Sequence, residues 1–431
     1  MTDDPATESA PAGPGPSGAG SLAVLREREF AYFFWGQTVS VLGDGIFPIA
    51  LAFAVLDLGG SPSDLGVVLV AGILPQILFV LVGGVWADRL PRRTIMLAAD
   101  GARAVIQLGT AALLLSGHAH IWQLAVLYAL HATASAFFMP AATALVPQVT
   151  PREQLQQANA LLGITRSIAF GVGAAFGGLL VSLASPGGAV ALDACTFLVS
   201  AACIARVTVR SAPGGGGASF LSELRAGFDE VRGHRWLWLG LVNACLFLML
   251  VVAPFEIIGP VIAKRELGGA FAWGVILTGF SVGTLLGGLV MLRVKLRRPM
   301  FVAGLLFFVT CAAPLLLALP GPVWSISLAY VGEGFAVGIF VTSWETAIQN
   351  HIPKEMMARV GAWDWLGTIG GMPIGFALTG PVVGAIGTSA TLVGVAASAV
   401  VLSSVFLLSS DLRNLRLEGP ASVKPLGVPG A

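Results

Sequence analysis

Long apolar stretches alternate with short polar punctuation along almost the whole of this chain. Runs of about 20 apolar residues, the length a helix needs to cross a hydrocarbon core, fall near residues 30–57, 64–87, 94–116, 121–146, 155–183 and 188–208. A second set follows near 236–262, 271–292, 299–319, 322–349, 359–385 and 388–410. The pattern predicts an all-α polytopic membrane protein of twelve spans. One long polar interruption, Ser211 to Arg235, divides the runs into two sets of six. It opens on Pro213-Gly214-Gly215-Gly216-Gly217 and continues as a charged amphipathic stretch with Glu223, Arg225, Asp229, Glu230 and Arg232. The expected organisation is a disordered tail at 1–21, a six-helix bundle at 22–210, a linker with an amphipathic helix at 211–235, a second bundle at 236–410 and a tail at 411–431.

Composition agrees: 56% of the 431 residues are hydrophobic and 11% are charged, against about a quarter charged in soluble proteins. The net charge of +1 gives no reason to expect nucleic acid as a partner; in a bilayer the placement of charge carries the information. With an even number of spans, 20 of the 24 Lys and Arg side chains fall on the side of both termini. Lys264 and Arg265 fall on the other side, while Arg103 and Arg166 lie within spans. By the positive-inside rule both termini are cytoplasmic, in the plasma (inner) membrane. Residues 1–20 lack the basic start and apolar run of a cleavable signal.

The linker's glycine run has no Gly-Lys-Ser/Thr, so no nucleotide site is expected there. Cys195, Cys203, Cys245 and Cys311 lie inside apolar runs without Cys-x-x-Cys spacing and are read as buried packing residues. His118 and His120 form a His-x-His with no third ligand nearby. No metal or cofactor is expected. Trp122, Trp236, Trp238, Trp273 and Trp324 stand near span starts, where interfacial anchors belong.

Between the second and third runs sits Gly84-Val85-Trp86-Ala87-Asp88-Arg89-Leu90-Pro91-Arg92-Arg93, a charged clasp flanked by chain with almost no charge. Its Gly-x-x-x-Asp-Arg-x-x-Arg-Arg pattern resembles the signature loop between helices 2 and 3 of the major facilitator superfamily of transporters, with Pro91 where glycine is usual. The two halves also echo each other: Pro151-Arg152-Glu153-Gln154-Leu155 recurs 202 residues later as Pro353-Lys354-Glu355-Met356-Met357, and Gly173 and Gly178 match Gly375 and Gly380 at the same offset. Duplicated halves with a substrate site between them near the midplane are the build that this resemblance implies. It also implies that Asp88 faces the start of span 11, near Arg359 and Gly361, and locks the halves together on that side. Arg89, Arg92 and Arg93 would then hold the loop. The segment Gly171-Val172-Gly173-Ala174-Ala175-Phe176-Gly177-Gly178 is similar to a glycine-rich helix 5 motif of the exporter branches, with Ala174 in place of proline. Packing alone also explains small residues at Gly173, Gly177 and Gly178.

Ions inside the spans are costly in lipid and need protein or water around them. They are Asp44, Asp100, Asp193, Glu256, Glu333, Glu345, Asp364, Arg103 and Arg166, with His131 the one histidine. Gln37, Ser40 and Asp44 share a stripe of span 1, and Leu42-Gly43-Asp44 resembles the same helix in macrolide-efflux and siderophore-exporter relatives. A carboxylate there serves to take up a proton or to meet a cationic cargo; a hydrogen bond to a neighbouring helix is the structural alternative. Asp100 and Arg103, three apart, share a face and form an expected ion pair beneath the gate. Arg166 has Asp44, Asp100, Asp193 and a substrate anion as candidate partners. Glu256 and Glu333 lie deep, so Glu333 is expected to line the cavity. Glu345 and Asp364 lie nearer the gate, with Arg359 a candidate partner. His131 is either a proton relay or a packing residue.

The reading is a secondary active transporter, not an enzyme, since no nucleophile-base pair or metal cluster lies at one depth. Its expected partners are a small-molecule substrate, protons and the lipid bilayer, and its expected state is a functional monomer. The resemblance implies export of a hydrophobic or amphiphilic compound in exchange for protons. Siderophore export, lysophospholipid flipping and a non-transporting receptor or scaffold stay open. Asp88→Asn is expected to weaken the latch at the clasp. Distances between labels on spans 2 and 11 should shift toward separation, and an unchanged distribution would exclude the latch.

Overall fold

A computed structural model describes residues 23–87, 90–208, 220–294, 296–319 and 321–415. Twelve helices are long and apolar enough to cross a membrane. In the first half they are span 1 (Arg28–Asp57), span 2 (Pro62–Ala87), span 3 (Arg92–Leu115), span 4 (Ile121–Val149), span 5 (Leu155–Leu183) and span 6 (Pro186–Ile204). In the second half they are span 7 (Arg235–Leu267), span 8 (Ala270–Arg293), span 9 (Pro299–Ala318), span 10 (Val323–His351), span 11 (Arg359–Ile386) and span 12 (Thr388–Leu408). The linker helix, Phe220–Gly233, lies between the sets. The expected tail at 1–21, most of the tail at 411–431, and Asp88 and Arg89 of the clasp lie outside the described residues.

Two expected boundaries move. Span 6 ends at Ile204 rather than near 208. Span 7 runs to Leu267, because Ala263–Leu267 continues it as a wide π-helical turn before Gly268 and Gly269, both at positive φ, reverse the chain. Only glycine enters that backbone region without strain. Lys264 and Arg265 therefore belong to the last turn of span 7 and not to a loop.

The buried core differs between the two ends of the molecule. At the end where span 1 begins and span 12 finishes, here the termini face, there are two separate apolar clusters. One contains Phe30, Phe33, Met96, Phe138, Leu145 and Ile204, all from the first half. The other contains Leu237, Met300, Trp344, Ile352 and Phe406, all from the second. Toward the opposite face the clusters cross between halves: Ile46, Leu65 and Val68 pack with Ala253, Ile257 and Phe376. Ile49, Phe53 and Ala174 pack with Phe255, Ile258 and Trp273.

Small residues make that junction possible. In lipid, helices gain little from hiding apolar surface from each other, so close backbone packing must hold them together. Gly178 of span 5 faces Gly274 of span 8 so closely that a Cβ on either would lie 3.1 Å from the other's Cα. One turn earlier, span 5 turns Gly173 toward span 1, where a Cβ would lie 3.1 Å from Gly45 Cα. The expected packing glycines thus serve two different neighbours. Hydrogen bonds follow the same seam: Thr278 Oγ1 donates to the Gly171 carbonyl at 3.1 Å, and the Phe271 amide donates to Ser182 Oγ at 3.0 Å. At its far end Lys264 Nζ donates to Asp57 Oδ1 at 2.7 Å across the halves. Both partners are partly exposed, so this ion pair contributes at most about 1 kcal/mol and serves chiefly to fix register.

Two sequence expectations are corrected. Cys195 is exposed on the outer surface of span 6, and the other three cysteines are only partly buried; a thiol is apolar enough to face lipid without cost. Trp122, Trp238 and Trp324 are exposed as anchors should be, but Trp236 and Trp273 are buried. Trp236 packs edge-on against Trp344, and Trp273 packs against Phe255. Position near a span start did not distinguish a lipid-facing ring from a core one.

Gly178→Leu is expected to force spans 5 and 8 apart, with an overpacking cost of about 1–3 kcal/mol. Spin labels at Leu58 and Glu266 should then report longer distances, and Gly178→Ala a smaller change. Identical distance distributions in all three proteins would show that this contact does not hold the halves together.

Candidate functional site

Among the described residues the apolar clusters shared by the two halves lie toward one face, and a cavity of about 610 Å³ lies between the halves. Pro48, Ala52, Leu69, Ile73, Tyr128 and Phe170 form its wall from the first half. The second half contributes more, with side chains from spans 7, 8, 9, 10, 11 and 12. The backbone is irregular where it borders this space. Span 7 widens into a π-helical turn at Leu248–Val252, span 9 tightens into a 3-10 turn at Phe307–Cys311, and span 11 is interrupted between Ile369 and Met372. Leu248, Val252, Phe307, Thr368 and Met372, at or beside these breaks, all line the cavity. Irregular backbone is tolerated at membrane depth only where protein or a cavity surrounds it, and π turns recur at functional sites.

Two ionisable carboxylates reach the cavity wall, Glu256 of span 7 and Glu333 of span 10, and among the described residues no Lys, Arg or His lines it. Glu333 is 5% exposed, and neither carboxylate has a hydrogen bond or ion pair among the described residues. Aromatic rings surround them. Phe255 stacks on Tyr330 at 4.8 Å, Phe255 meets Trp273 at 5.4 Å, and Phe280 meets Tyr330 at 5.2 Å. The Tyr330 hydroxyl lies within the field of both carboxylates. A carboxylate in such a place is stabilised only by taking a proton or by a cation beside it. Ring faces favour the same cation. The expectation that Glu333 lines the cavity agrees with this geometry, and Glu256 joins it. The aromatic partners were not anticipated, although Phe255-Glu256 are adjacent and Tyr330 and Glu333 lie one turn apart.

The first half handles its charges in the opposite way. Arg103 of span 3 pairs with Asp100, and both are buried. Its guanidinium lies between two rings, 4.2 Å from the Phe138 centroid and 4.3 Å from the Phe197 centroid. Desolvated contacts of this kind reach about 2 kcal/mol each. Beside it Gln107 Nε2 donates to Asp193 Oδ2 at 2.7 Å. His131 sits among rings, 5.1 Å from Phe47 and 5.6 Å from Phe197. This places it in aromatic packing, behind Tyr128 of the cavity wall and not among the lining residues. The Asp100–Arg103 pair expected from spacing is thus present, but it is enclosed within the first half and not at the junction of the halves.

Asp44 is half-buried, lies within the fields of Arg103, Asp100 and Arg166, and has no hydrogen bond or ion pair among the described residues. It does not line the 610 Å³ cavity, and neither do Gln37, His131 or Arg166. The stripe expected to unite Gln37, Ser40 and Asp44 is real as helical spacing, but Gln37 and Ser40 are buried, with 7% and 2% exposure. Arg166 does not pair with Asp44, Asp100 or Asp193; its Nη2 contacts Met139 Sδ at 3.2 Å.

At the clasp, Gly84 falls in the last turn of span 2. Arg92 Nη1 donates to the Ala144 carbonyl at 3.2 Å, and Arg93 Nε donates to the Ile204 carbonyl at 3.2 Å. Arg93 also donates to Ala205. These arginines cap exposed carbonyls of spans 4 and 6, a favourable place for a cation, and so tie the loop to its own half. Asp364 accepts a hydrogen bond from Trp344 Nε1 at 2.8 Å, a partner its sequence position did not suggest. Arg359 lies at the start of span 11, where the linker helix packs: Phe228 meets Trp363 at 5.0 Å. The other residue that sequence reasoning missed is Asp57. Its signal was available, since Lys264 is one of only two cations on that side of the membrane.

Known proteins place this architecture. Residues 33–372 match the Major Facilitator Superfamily. The multidrug efflux pump Tap of Mycolicibacterium fortuitum is 28% identical over 87% of this chain and 94% of its own length. Macrolide efflux protein A of Streptococcus pyogenes is 26% identical over 60% of this chain and 65% of its own. Among solved structures, a bacterial homologue of the human lysosomal transporter Spinster, inward-facing and unoccupied, aligns with a TM-score of 0.67 at 15% identity over 93% of this chain and 98% of its own. The nucleoside transporter NupG aligns with a TM-score of 0.66 at 14% identity over 88% of this chain and 98% of its own. The twelve-helix fold in two halves is therefore shared with solved transporters, and this chain belongs to the Major Facilitator Superfamily, a family of transporters and not of enzymes.

Proposed function

We propose that this protein exports hydrophobic or amphiphilic small molecules, cations foremost, in exchange for protons by alternating access. The observation that carries this reading is the cavity between the halves: aromatic and aliphatic walls enclosing Glu256 and Glu333, with no basic side chain among its lining. A lipophilic cation satisfies both features at once, its apolar body against the rings and its charge beside a carboxylate. When the cation leaves, each uncompensated carboxylate is costly in that setting and takes a proton in its place. Exchange of cargo for protons then follows from competition for one pair of acids. The similarity to Tap and to macrolide efflux protein A, both named as efflux proteins, supports export as the direction.

The charge bias of the sequence supports cytoplasmic termini in the plasma membrane. In that orientation the glycine seam and the Asp57–Lys264 pair close the outer side, and the two separate apolar clusters leave the cytoplasmic side for loading. The proposed outward step requires the seam to open and the termini face to close, with Asp88 and the start of span 11 as the closing latch. Asp44, outside the cavity but within the field of three other ions, is assigned to coupling and not to cargo contact.

Tetraphenylphosphonium is a suitable probe for the purified protein in lipid nanodiscs. Its affinity is expected to fall as the pH is lowered, because protonation removes the negative charge that holds it. Glu256→Gln and Glu333→Gln should each weaken it by about tenfold, about 1.4 kcal/mol. The double variant should lose the pH dependence altogether. Binding that is insensitive to pH and to both substitutions would sink the cavity assignment. In proteoliposomes, Asp44→Asn should abolish substrate-driven proton movement while leaving tetraphenylphosphonium binding intact. Full coupling in that variant would move the coupling role to Glu256 and Glu333.

A further inference from the structure

A second, smaller cleft of about 220 Å³ lies entirely within the first half, between spans 1, 4 and 5 and toward the termini face. Its chemistry is opposite to that of the main cavity. Gln37, Thr38, Thr143, Asn159, Thr165 and Arg166 line it, and no acid does. Arg166 is exposed, and its sole hydrogen bond among the described residues goes to a thioether sulfur, Met139 Sδ. That is a weak acceptor for a group with five N–H donors. Gln37 is 93% buried, and its Nε2 has no hydrogen-bond partner. A buried amide donor without a partner is costly, and no described side chain relieves that cost here. Asp44, the acid whose field reaches Arg166, does not pair with it and is not among the cleft's lining.

We infer that this cleft is a binding subsite for a compact oxyanion, a phosphate or carboxylate. Arg166 supplies the charge and a planar fork of donors matched to two oxygens. Gln37 supplies a donor that binding would satisfy, and Thr165 and Asn159 supply neutral donors, whereas the hydroxyls of Thr38 and Thr143 donate to the Phe34 and Met139 carbonyls at 2.8 Å and 3.1 Å. Such a group has two sources: the headgroup of an amphiphile whose tail follows the apolar side chains Phe33, Val41 and Val146 of the same cleft, or a free anion from solution. The molecule would then carry separate places for unlike charges, acids between the halves and a guanidinium within the first half. This subsite does not depend on the proposed proton exchange.

The test uses the full-length protein in phosphatidylcholine nanodiscs with radiolabelled octyl phosphate as probe. Wild type is expected to bind it, Arg166→Gln to weaken binding by at least about tenfold, and Gln37→Leu to weaken it several-fold. Arg166→Lys should restore part of the loss, since it returns the charge without the fork. Tetraphenylphosphonium binding by each variant establishes that the protein is folded, and it should be unchanged. Competition by inorganic phosphate at equal concentration would assign the site to a free anion, and competition only by alkyl phosphates or alkyl carboxylates would assign it to an amphiphile's headgroup. Equal octyl phosphate affinity in wild type and Arg166→Gln, or no binding to wild type, overturns the inference. Loss of tetraphenylphosphonium binding in wild type would instead count against the cation-export reading and leave this one standing.

Discussion

The close approach of backbones along spans 1, 5 and 8 is the contact on which the rest of the architecture depends. Lipid gives helices no reward for hiding apolar surface from one another, so two six-helix halves stay together only where their backbones come near enough for many small contacts. Gly178 against Gly274 provides that proximity across the halves toward one face of the molecule, while Gly45 against Gly173 packs span 5 onto span 1 within the first half. Spans 2 and 11 meet in the same region, with Leu65 and Val68 in a core shared with Phe376. Among the described residues the seam lies at one end, and at the other the two halves keep separate apolar clusters. The cavity is the space left by that separation, and its depth is set by where the glycines stop.

Charge is distributed with equal asymmetry. The first half resolves some of its ions internally: Arg103 has Asp100 and two ring faces, and Asp193 has Gln107, while Asp44 has no such partner among the described residues and Arg166 only a thioether. Breaking such a buried pair by removing one member strands the other, at about 3–5 kcal/mol, which makes this region a rigid block. The second half leaves Glu256 and Glu333 without protein partners and turns them toward the cavity. Its spans are also the ones whose helices are interrupted. Among the described residues, the carboxylates that line the cavity and the irregular backbone beside it both belong to the second half. For the proposed exchange of cargo and protons, this puts the exchangeable charge on the second half's side of the cavity.

Much of the fold was legible because a membrane span imposes its own length. Apolar runs bounded by charge gave the spans directly, and the two clear boundary errors, at Ile204 and Leu267, arose where a helix ended or continued for local reasons. The π turn at Ala263–Leu267 carries Lys-Arg-Glu inside a helix, which no hydropathy pattern reveals. The candidate sites were less legible. Intramembrane acids stand out in the sequence, so Asp44, Glu256 and Glu333 were all singled out as candidates, yet the sequence could not say which of them share a cavity. That depends on helix rotation, which a nearly all-round apolar helix does not encode. The same limit explains Trp236 and Trp273, and the assignment of His131, which only its ring neighbours resolve. Asp100 and Arg103 were predictable as a pair because their spacing fixes their proximity whatever the helix's rotation.

The glycine seam has a mechanical consequence. A contact made of side chains is a set of interlocked shapes, and sliding it requires each rotamer to leave its well and find another. Where Gly178 meets Gly274 there are no rotamers to reset, so that patch is smooth as well as close. In the proposed alternation of the halves it would act as a bearing, holding the surfaces together while offering little resistance to rolling. A hinge made this way needs no flexible loop, and two rigid bundles can change their tilt without disturbing the packing inside either one.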